Sequence, residues 1–426
     1  MSESEEKPAN YTAQECQNGV PERCSFYMKK KMRYCKLEPV AGSGYCTIHA
    51  HDMGVIQNKR KRIPCPLDPK HSCYEDLLKN HLKKCNARPG LNPPCYVIDI
   101  NSGSDDGENS SNYQVSIRDV SDQEVLALTK VVTELHKGFV GELDKNCLFH
   151  EVLQEEKAKP HNGAAAQKHI NQQASLIGHL QKAGLLRDGI SYLEFGAGKG
   201  GLSHWIQLAL SQCSNNQYIL IDRSSVRYRM DTYHRGAEQG PDFERIKTDI
   251  RHLHLGKIAS LQNDMRPIVG VGKHLCGSAT DMMLRCLMET PHRDESGLKS
   301  KIVGIVLALC CHHRTDWQTY CGKAFFKQCG LGAREFHLIS SMTSWATCGG
   351  TLAAEKSPGG SDSTYNHYRY GNLLPEEREE IGYQCKQLID HGRLLYLKDH
   401  GYHVQQIYYA EKEQTLENMA LVAKCT

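Results

Sequence analysis

Long apolar runs are missing from this chain of 426 residues. No stretch approaches the roughly 20 apolar residues that a bilayer-spanning helix needs. The opening MSESEEKPAN is polar and acidic where a signal peptide would be basic and then apolar. Both absences argue against secretion and membrane insertion, and lead to the expectation of an intracellular protein of the cytoplasm, the nucleus or both. A strong net charge is also missing, since 52 Lys and Arg against 49 Asp and Glu leave only +3. The balance hides an uneven placement. Between Arg23 and Arg88 there are 15 basic and 5 acidic residues, an excess of +10, which leaves about −7 for the rest. Concentrated positive charge is the footprint of a phosphate-backbone binder, with a plain solvated basic face as the alternative.

Cysteine, in contrast, is plentiful at 19 residues. In a reducing compartment that number points to metal rather than to disulfides, and spacing has to decide. RCSFYMKKKMRYCKLEPVAGSGYCTIHA carries Cys24, Cys35, Cys46 and His49 as C-x10-C-x10-C-x2-H. Three thiolates and one imidazole make a complete tetrahedral set for structural zinc, and so short a segment cannot build its own core without one. CPLDPKHSCYEDLLKNHLKKC adds Cys65, His71, His81 and Cys85 as C-x5-H-x9-H-x3-C. His81 and Cys85 lie four apart on a predicted helix and so share a face. Cys73 competes with His71 for one ligand place, His71 being preferred, and Cys16 is a spare. Basic residues in MKKKMRY and NKRKR alternate with Phe26, Tyr27 and Tyr34, a mixture suited to phosphate contact and base stacking. NKRKR reads equally as a nuclear-import signal.

RPGLNPP and NSGSDDGENSSN have almost nothing to bury, which sets a flexible linker at 89–117 between finger segments at 16–50 and 60–88 and a C-terminal domain at 118–426. SDQEVLALTKVVTELHKGF follows, with Ser121 and Glu124 as a capping box and an apolar stripe through Val125, Leu128, Val132, Leu135 and Phe139. That stripe either docks in the fold or joins a short coiled coil.

From residue 190 onward β-rich runs alternate with helical ones: SYLEF, QYILID, FERIKTD, PIVGVGKHL and KIVGIVLALC, then a close pair YHVQQIYYA and ENMALVAKC. PEEREEIGYQCKQLIDHGRLLYL is a helix with Pro375 at its start. Five β-α units imply a doubly wound parallel sheet, and the close pair implies an antiparallel edge hairpin. The expected fold class is therefore α/β, a Rossmann-like class I methyltransferase with a seven-stranded sheet, preceded by two small zinc-binding modules.

YLEFGAGKGG puts Glu194, Gly196, Gly198, Gly200 and Gly201 at the exit of the first strand, where glycines let the backbone approach a ligand. Gly196, Gly198 and Gly201 also satisfy the dinucleotide pattern G-x-G-x-x-G, and Asp222 at the end of YILID could bind the ribose of either cofactor. Three features favour S-adenosylmethionine over NAD. Glu194 fits E-x-G-x-G-x-G, Asp249 ends the third strand where an adenine edge is often held, and the hairpin closes the sheet. An acid so close would also serve a pyrophosphate poorly.

Two acceptor signatures are absent. The fourth strand exits in GKHLCG rather than D/N-P-P-Y/F, which argues against amine-directed nucleic-acid methylation, and neither Cys276, Cys310 nor Cys311 follows the proline that usually precedes a cytosine carbon-5 nucleophile. Oxygen methylation needs in-line approach and help with a proton. Lys273 and His274, at the carboxyl end of the fourth strand, stand where ligands bind in such sheets. In VLALCCHHRTDW an extended chain points Cys310 and His312 one way and Cys311 and His313 the other, so four ligands cannot gather on one metal. The stretch then reads as a ligand-facing end of the fifth strand, with His312 and His313 positioning the acceptor or handling its proton, and Cys310 as a small core residue.

The two Cys/His patterns, LEFGAGKGGLS, GKHLCG and LALCCHH together resemble the eukaryotic tRNA ribose 2'-O-methyltransferase family that modifies position 4 of the acceptor stem. The resemblance runs from about residue 22 to the end of the sequence and implies a CCCH finger and a CHHC finger, S-adenosylmethionine and two structural zinc ions as cofactors, and tRNA as partner. It implies no membrane and identifies no obligate protein partner. Other ribose methyltransferases use a Lys-Asp-Lys-Glu tetrad with its Asp after the fourth strand, where this chain has Lys273, so the usual catalytic set does not transfer. The rival reading is a zinc-finger RNA adaptor whose methyltransferase domain is inactive.

Overall fold

The computed structural model describes residues 23–28, 33–55, 61–85, 92–103, 115–226, 229–234, 242–262, 264–289, 301–348, 370 and 373–426. Lys29, Lys30, Lys31, Cys16, most of NKRKR and residues 349–369 lie outside that set. The chain forms two compact units, residues 1–90 and 91–426.

In the C-terminal unit the strands are β1 (Ser191–Phe195), β2 (Gln217–Asp222), β3 (Asp242–Lys247), β4 (Ile268–Cys276), β5 (Ile302–Cys310), β6 (Tyr402–Tyr408) and β7 (Met419–Cys425). Its main helices are α1 (Asp122–Phe139), α2 (Ala164–Lys182), α3 (Gly201–Ala209), α4 (Ser278–Met288), α5 (Ala333–Met342) and α6 (Pro375–Asp399). The sheet order is β6-β7-β5-β4-β1-β2-β3. β1 to β5 pair in parallel, and β7 runs antiparallel to both β5 and β6. That order, with its reversed edge hairpin, is the class I methyltransferase sheet.

The parallel strands are apolar on both sides because helices cover both faces. Alternation along β1 shows it: Leu193 and Phe195 join Ile219, Leu307 and Leu421 beneath Met283 and Leu287 of α4, while Tyr192 turns to Leu176 and Leu180 of α2 and Ile206 of α3. A third cluster is built mainly from helices. Val125, Leu128 and Val132 of α1 pack with Phe336 and Ile339 of α5 and with Ile381, Cys385 and Leu388 of α6. The apolar stripe of α1 is thus docked inside its own fold rather than in a coiled coil. Ser121 Oγ caps the Glu124 N–H at 3.2 Å, but the Glu124 carboxylate pairs with Arg334 instead of returning to the cap, so the capping box is half made.

The connection between the units is less bare than its composition suggests. Tyr96 bridges to Leu253, the Val97 N–H donates to the His252 carbonyl at 2.7 Å, and Cys95 is buried in the main core. The Asn101 amide, fully buried, donates to the Ile250 and Leu253 carbonyls at 2.6 and 2.8 Å. Residues 92–103 are therefore part of the C-terminal unit, which corrects the expectation of a linker over all of 89–117. One amide satisfying two buried carbonyls holds the segment, and local composition cannot report such a long-range match.

Candidate active site and metal centres

Each finger segment gathers the ligands expected of it. In the first, Cys24, Cys35, Cys46 and His49 place one ligand atom each within 4.8 Å of the others, with His49 Nδ1 at 3.3 Å from both Cys24 Sγ and Cys46 Sγ. A two-residue hairpin, Tyr27 opposite Tyr34, and the helix Thr47–Asp52 carry them. Phe26 stacks on the His49 ring at 3.9 Å, so this aromatic supports a ligand rather than standing open to a base.

The second set is Cys65, His71, His81 and Cys85, on the hairpin Arg62–Cys65 and Asp68–Tyr74 and the helix Leu78–Lys84. Tetrahedral zinc with its usual bond lengths requires edges of about 3.8 Å for S to S, about 3.6 Å for S to N and about 3.3 Å for N to N. The corresponding separations are 3.7 Å for Cys65 to Cys85, 3.2 and 3.4 Å for His81 to Cys65 and His71 to Cys85, and 3.2 Å for His71 to His81. Both sets fit zinc in donor chemistry, and the second also in edge length. Cys73 is buried but is not part of the gathered set.

At the carboxyl edge of the sheet the glycine loop between β1 and α3 is held from two sides. Asp222 Oδ2 accepts the Gly198 N–H at 2.8 Å, and Arg245 on β3 donates to the Gly198 carbonyl at 2.9 Å while gripping Asp231 at 2.7 and 2.9 Å. Gly198 has φ +49, and a β-carbon there would meet nothing closer than the Gly196 carbonyl at 4.0 Å, so the loop presents bare backbone to open space. Gly196 and Gly200 share the left-handed conformation, at φ +64 and +78. Glu194 is buried, accepts the Ser203 N–H at 2.9 Å in the first turn of α3, and is pushed up to about 7 by that burial. Asp222 Oδ1 accepts the Ser224 N–H at 2.7 Å, and Asp249 caps the short turn Ile250–His252 that follows β3. A carboxylate at the end of β2, another beyond β3 and a glycine turn at β1 are the donor set that an adenosyl cofactor requires.

Lys273 and His274 stand at the end of β4, where the register with β5 shifts between Gly272 and Leu275 and His274 takes φ +74. A bulge of this kind re-aims side chains beside a site. It sets Lys273 Nζ 2.8 Å from His274 Nε2 and 3.4 Å from His169 Nδ1 on α2. The ammonium is buried and its pKa is lowered to about 8 by desolvation, while both imidazoles reach the surface. His169 was not singled out in the sequence, because nothing in AQKHINQQ links it to a residue a hundred positions away. Arg245 was missed for the same reason, being an ordinary charge in a strand.

The exit of β5 departs from expectation. The strand stops at Cys310, Cys311 takes the left-handed conformation (φ 54, ψ 42), and His312–Arg314 form a turn of 3-10 helix. His312 is consequently not an extended, acceptor-facing residue. Its side chain is fully buried and its Nε2 pairs with Asp390 Oδ2 at 2.8 Å. Asp390 also binds Arg393 at 2.9 Å, and Arg393 binds Asp281 at 2.6 Å, all with side chains at most 1% exposed. This network ties α6 and α4 to the β5 exit, and His312 positions that exit from inside. His313 is exposed and Cys310 is buried.

Comparison with known proteins follows the same division of the chain. Residues 171–424 match the family described as Methyltransferase TRM13. Residues 22–50 match the CCCH zinc finger in TRM13 protein, and residues 62–86 match the U11-48K-like CHHC zinc finger. The human tRNA:m(4)X modification enzyme TRM13 homolog is 38% identical over 94% of this chain and 94% of its own length, and the mouse homolog is 37% identical with the same coverage. The fission yeast enzyme, from Schizosaccharomyces pombe, is 36% identical over 86% of this chain and 96% of its own. With one family covering most of the C-terminal unit and full-length relatives at this identity, the chain belongs to the TRM13 methyltransferase family.

Proposed function

We propose that this chain transfers a methyl group from S-adenosylmethionine to a ribose 2'-hydroxyl at position 4 of the tRNA acceptor stem. The observation that carries the reading is the buried Lys273 beneath His274 and His169, next along the sheet edge from the glycine loop. The names of the relatives, tRNA:m(4)X modification enzymes, supply the acceptor class. When bound, the sulfonium cofactor supplies an electrophilic methyl and a neutral thioether leaving group.

The chain's own residues do the rest. Gly196, Gly198 and Gly200 admit the cofactor against bare backbone, Asp222 takes its ribose diol, and Asp249 lies toward its adenine. Glu194 fixes the start of α3 and so the shape of the turn. Burial raises the share of Lys273 that is neutral near pH 8, and a neutral amine can accept the hydroxyl proton as the oxygen attacks in line. His274 and His169, hydrogen-bonded to it, orient the amine. His312 acts at one remove, by holding the β5 exit. Two structural zinc ions, one on each Cys/His set, stiffen a basic N-terminal unit that grips the RNA backbone.

The test is methylation of tRNA with labelled S-adenosylmethionine, followed by mapping of the labelled nuclease fragment and its digestion to nucleosides. Label on a 2'-O-methyl nucleoside from position 4 is the expected product. Label only on a base, or label that does not depend on tRNA, refutes the reading. No transfer at all, with tRNA still bound, would return the inactive adaptor.

A further inference from the structure

The thiols at the exits of β4 and β5 are absorbed neither by the fingers nor by the transfer chemistry. Cys276 is the last residue of β4 and Cys310 the last of β5, and they are register partners in adjacent parallel strands, so their side chains share a face. Their sulfurs are 3.9 Å apart. Cys311, next in the chain, would point to the opposite face in a continuing strand. Its left-handed backbone reverses the chain, and all three sulfurs lie within 4.8 Å of one another.

That conformation is disfavoured for a residue with a β-carbon. It is retained because the Cys311 N–H donates to Glu417 Oε1 at 2.8 Å, with Glu417 held in turn by Lys386 at 2.6 Å. The fold thus stabilises a strained turn whose effect is to bring a third thiol to the other two. Cys310 is buried, whereas Cys276 and Cys311 are partly open, which gives a closed floor and an accessible mouth.

We propose that Cys276, Cys310 and Cys311 form a third metal site of this chain, a three-thiolate seat for a soft divalent cation, zinc first among them. Three sulfur donors select thiophilic metals over magnesium or calcium. The 3.9 Å pair already has the S-to-S edge of tetrahedral zinc, about 3.8 Å, and side-chain rotation closes the looser pairs. The finger sets supply four protein ligands each, but this one supplies three. The fourth position is open to water or to an incoming ligand, the arrangement of zinc sites that do more than hold a fold together.

The experiment is elemental analysis by mass spectrometry of the full chain, purified with reductant. The wild type is compared with Cys276→Ser and Cys311→Ser, each checked for an unchanged near-ultraviolet circular dichroism spectrum. The proposal rests on the finger reading only for the absolute count, three zinc ions per chain. The difference of one ion between wild type and either variant is independent of it. Cobalt loading supplies a second readout, because thiolate-to-cobalt absorption falls in both variants. Equal metal content in all three proteins overturns the proposal. So does a Cys276–Cys310 disulfide, detected by peptide mass after thiol blocking, in protein that holds the same metal as the variants. If Cys276→Ser fails to fold, Cys311→Ser decides on the same terms.

Discussion

Replacing Glu194 by glutamine should make the cofactor-free protein more stable at alkaline pH. The carboxyl is buried against the first turn of α3, and its pKa rises from 4.5 to about 7 for want of solvation. The sign follows from proton linkage. Between those two values the native state holds a proton that the unfolded chain releases, so stability is full below about pH 4.5 and falls as pH rises toward 7. A shift of this size at about 1.4 kcal/mol per unit amounts to about 3 kcal/mol lost by pH 8. Glutamine keeps the hydrogen bond from Ser203 and cannot ionise. Intrinsic fluorescence reads the relevant unit, because all three tryptophans, Trp205, Trp317 and Trp345, lie in it. Wild type and Glu194→Gln should melt together at pH 4 and separate by about 5 °C at pH 8, with the variant higher. Parallel melting temperatures across that range would refute the argument, since they would mean that Glu194 is ionised in the folded state at no cost.

Four further outcomes are expected. Lys273→Ala should lower the single-turnover transfer rate by about 100-fold or more while calorimetry finds cofactor affinity unchanged; equal loss of both would make Lys273 a cofactor ligand. Cys65→Ser or His81→Ala should lower zinc content and weaken tRNA binding in a filter assay with tryptophan fluorescence unaltered, and zinc content equal to wild type would remove that ligand set. Asp390→Asn should destabilise the C-terminal unit by about 3–5 kcal/mol in urea, because it leaves Arg393 and His312 short of a buried partner; a change below about 1 kcal/mol would contradict the network. Asn101→Ala should cost about 1–3 kcal/mol by stranding the Ile250 and Leu253 carbonyls, whereas a tolerated change would restore the idea of a loose linker.

The elements legible in the sequence were those whose cause is local. SYLEF and QYILID read as buried strands because apolar runs of that length have no other place in a doubly wound sheet, and they fall at Ser191–Phe195 and Gln217–Asp222. The close pair before the C-terminus similarly forms the antiparallel edge. The gathering of Cys24, Cys35, Cys46 and His49, and of Cys65, His71, His81 and Cys85, was legible because soft donors at metal spacing have few other uses in a segment too short for a core. Lys273 and His274 could be placed at the sheet edge from strand order alone, but not their partnership with His169, which depends on how α2 crosses the sheet.

Sequence by itself therefore determined the fold class, the presence of finger segments ahead of a methyltransferase segment, and which Cys and His residues gather into two sets. Tertiary structure decided whatever turns on contacts between distant residues. Asn101 docks a segment whose composition reads as free, and Arg245 pins a glycine loop encoded nearly fifty residues earlier. The clearest case is Cys310 to His313. Period-two alternation scatters these four side chains to two faces, and that rule holds only while the chain stays extended. A carboxylate a hundred residues later, Glu417, holds Cys311 in a left-handed turn, and Asp390 draws His312 into the core. Backbone direction at one residue, set by partners remote in sequence, separated a buried histidine from a cluster of three thiols.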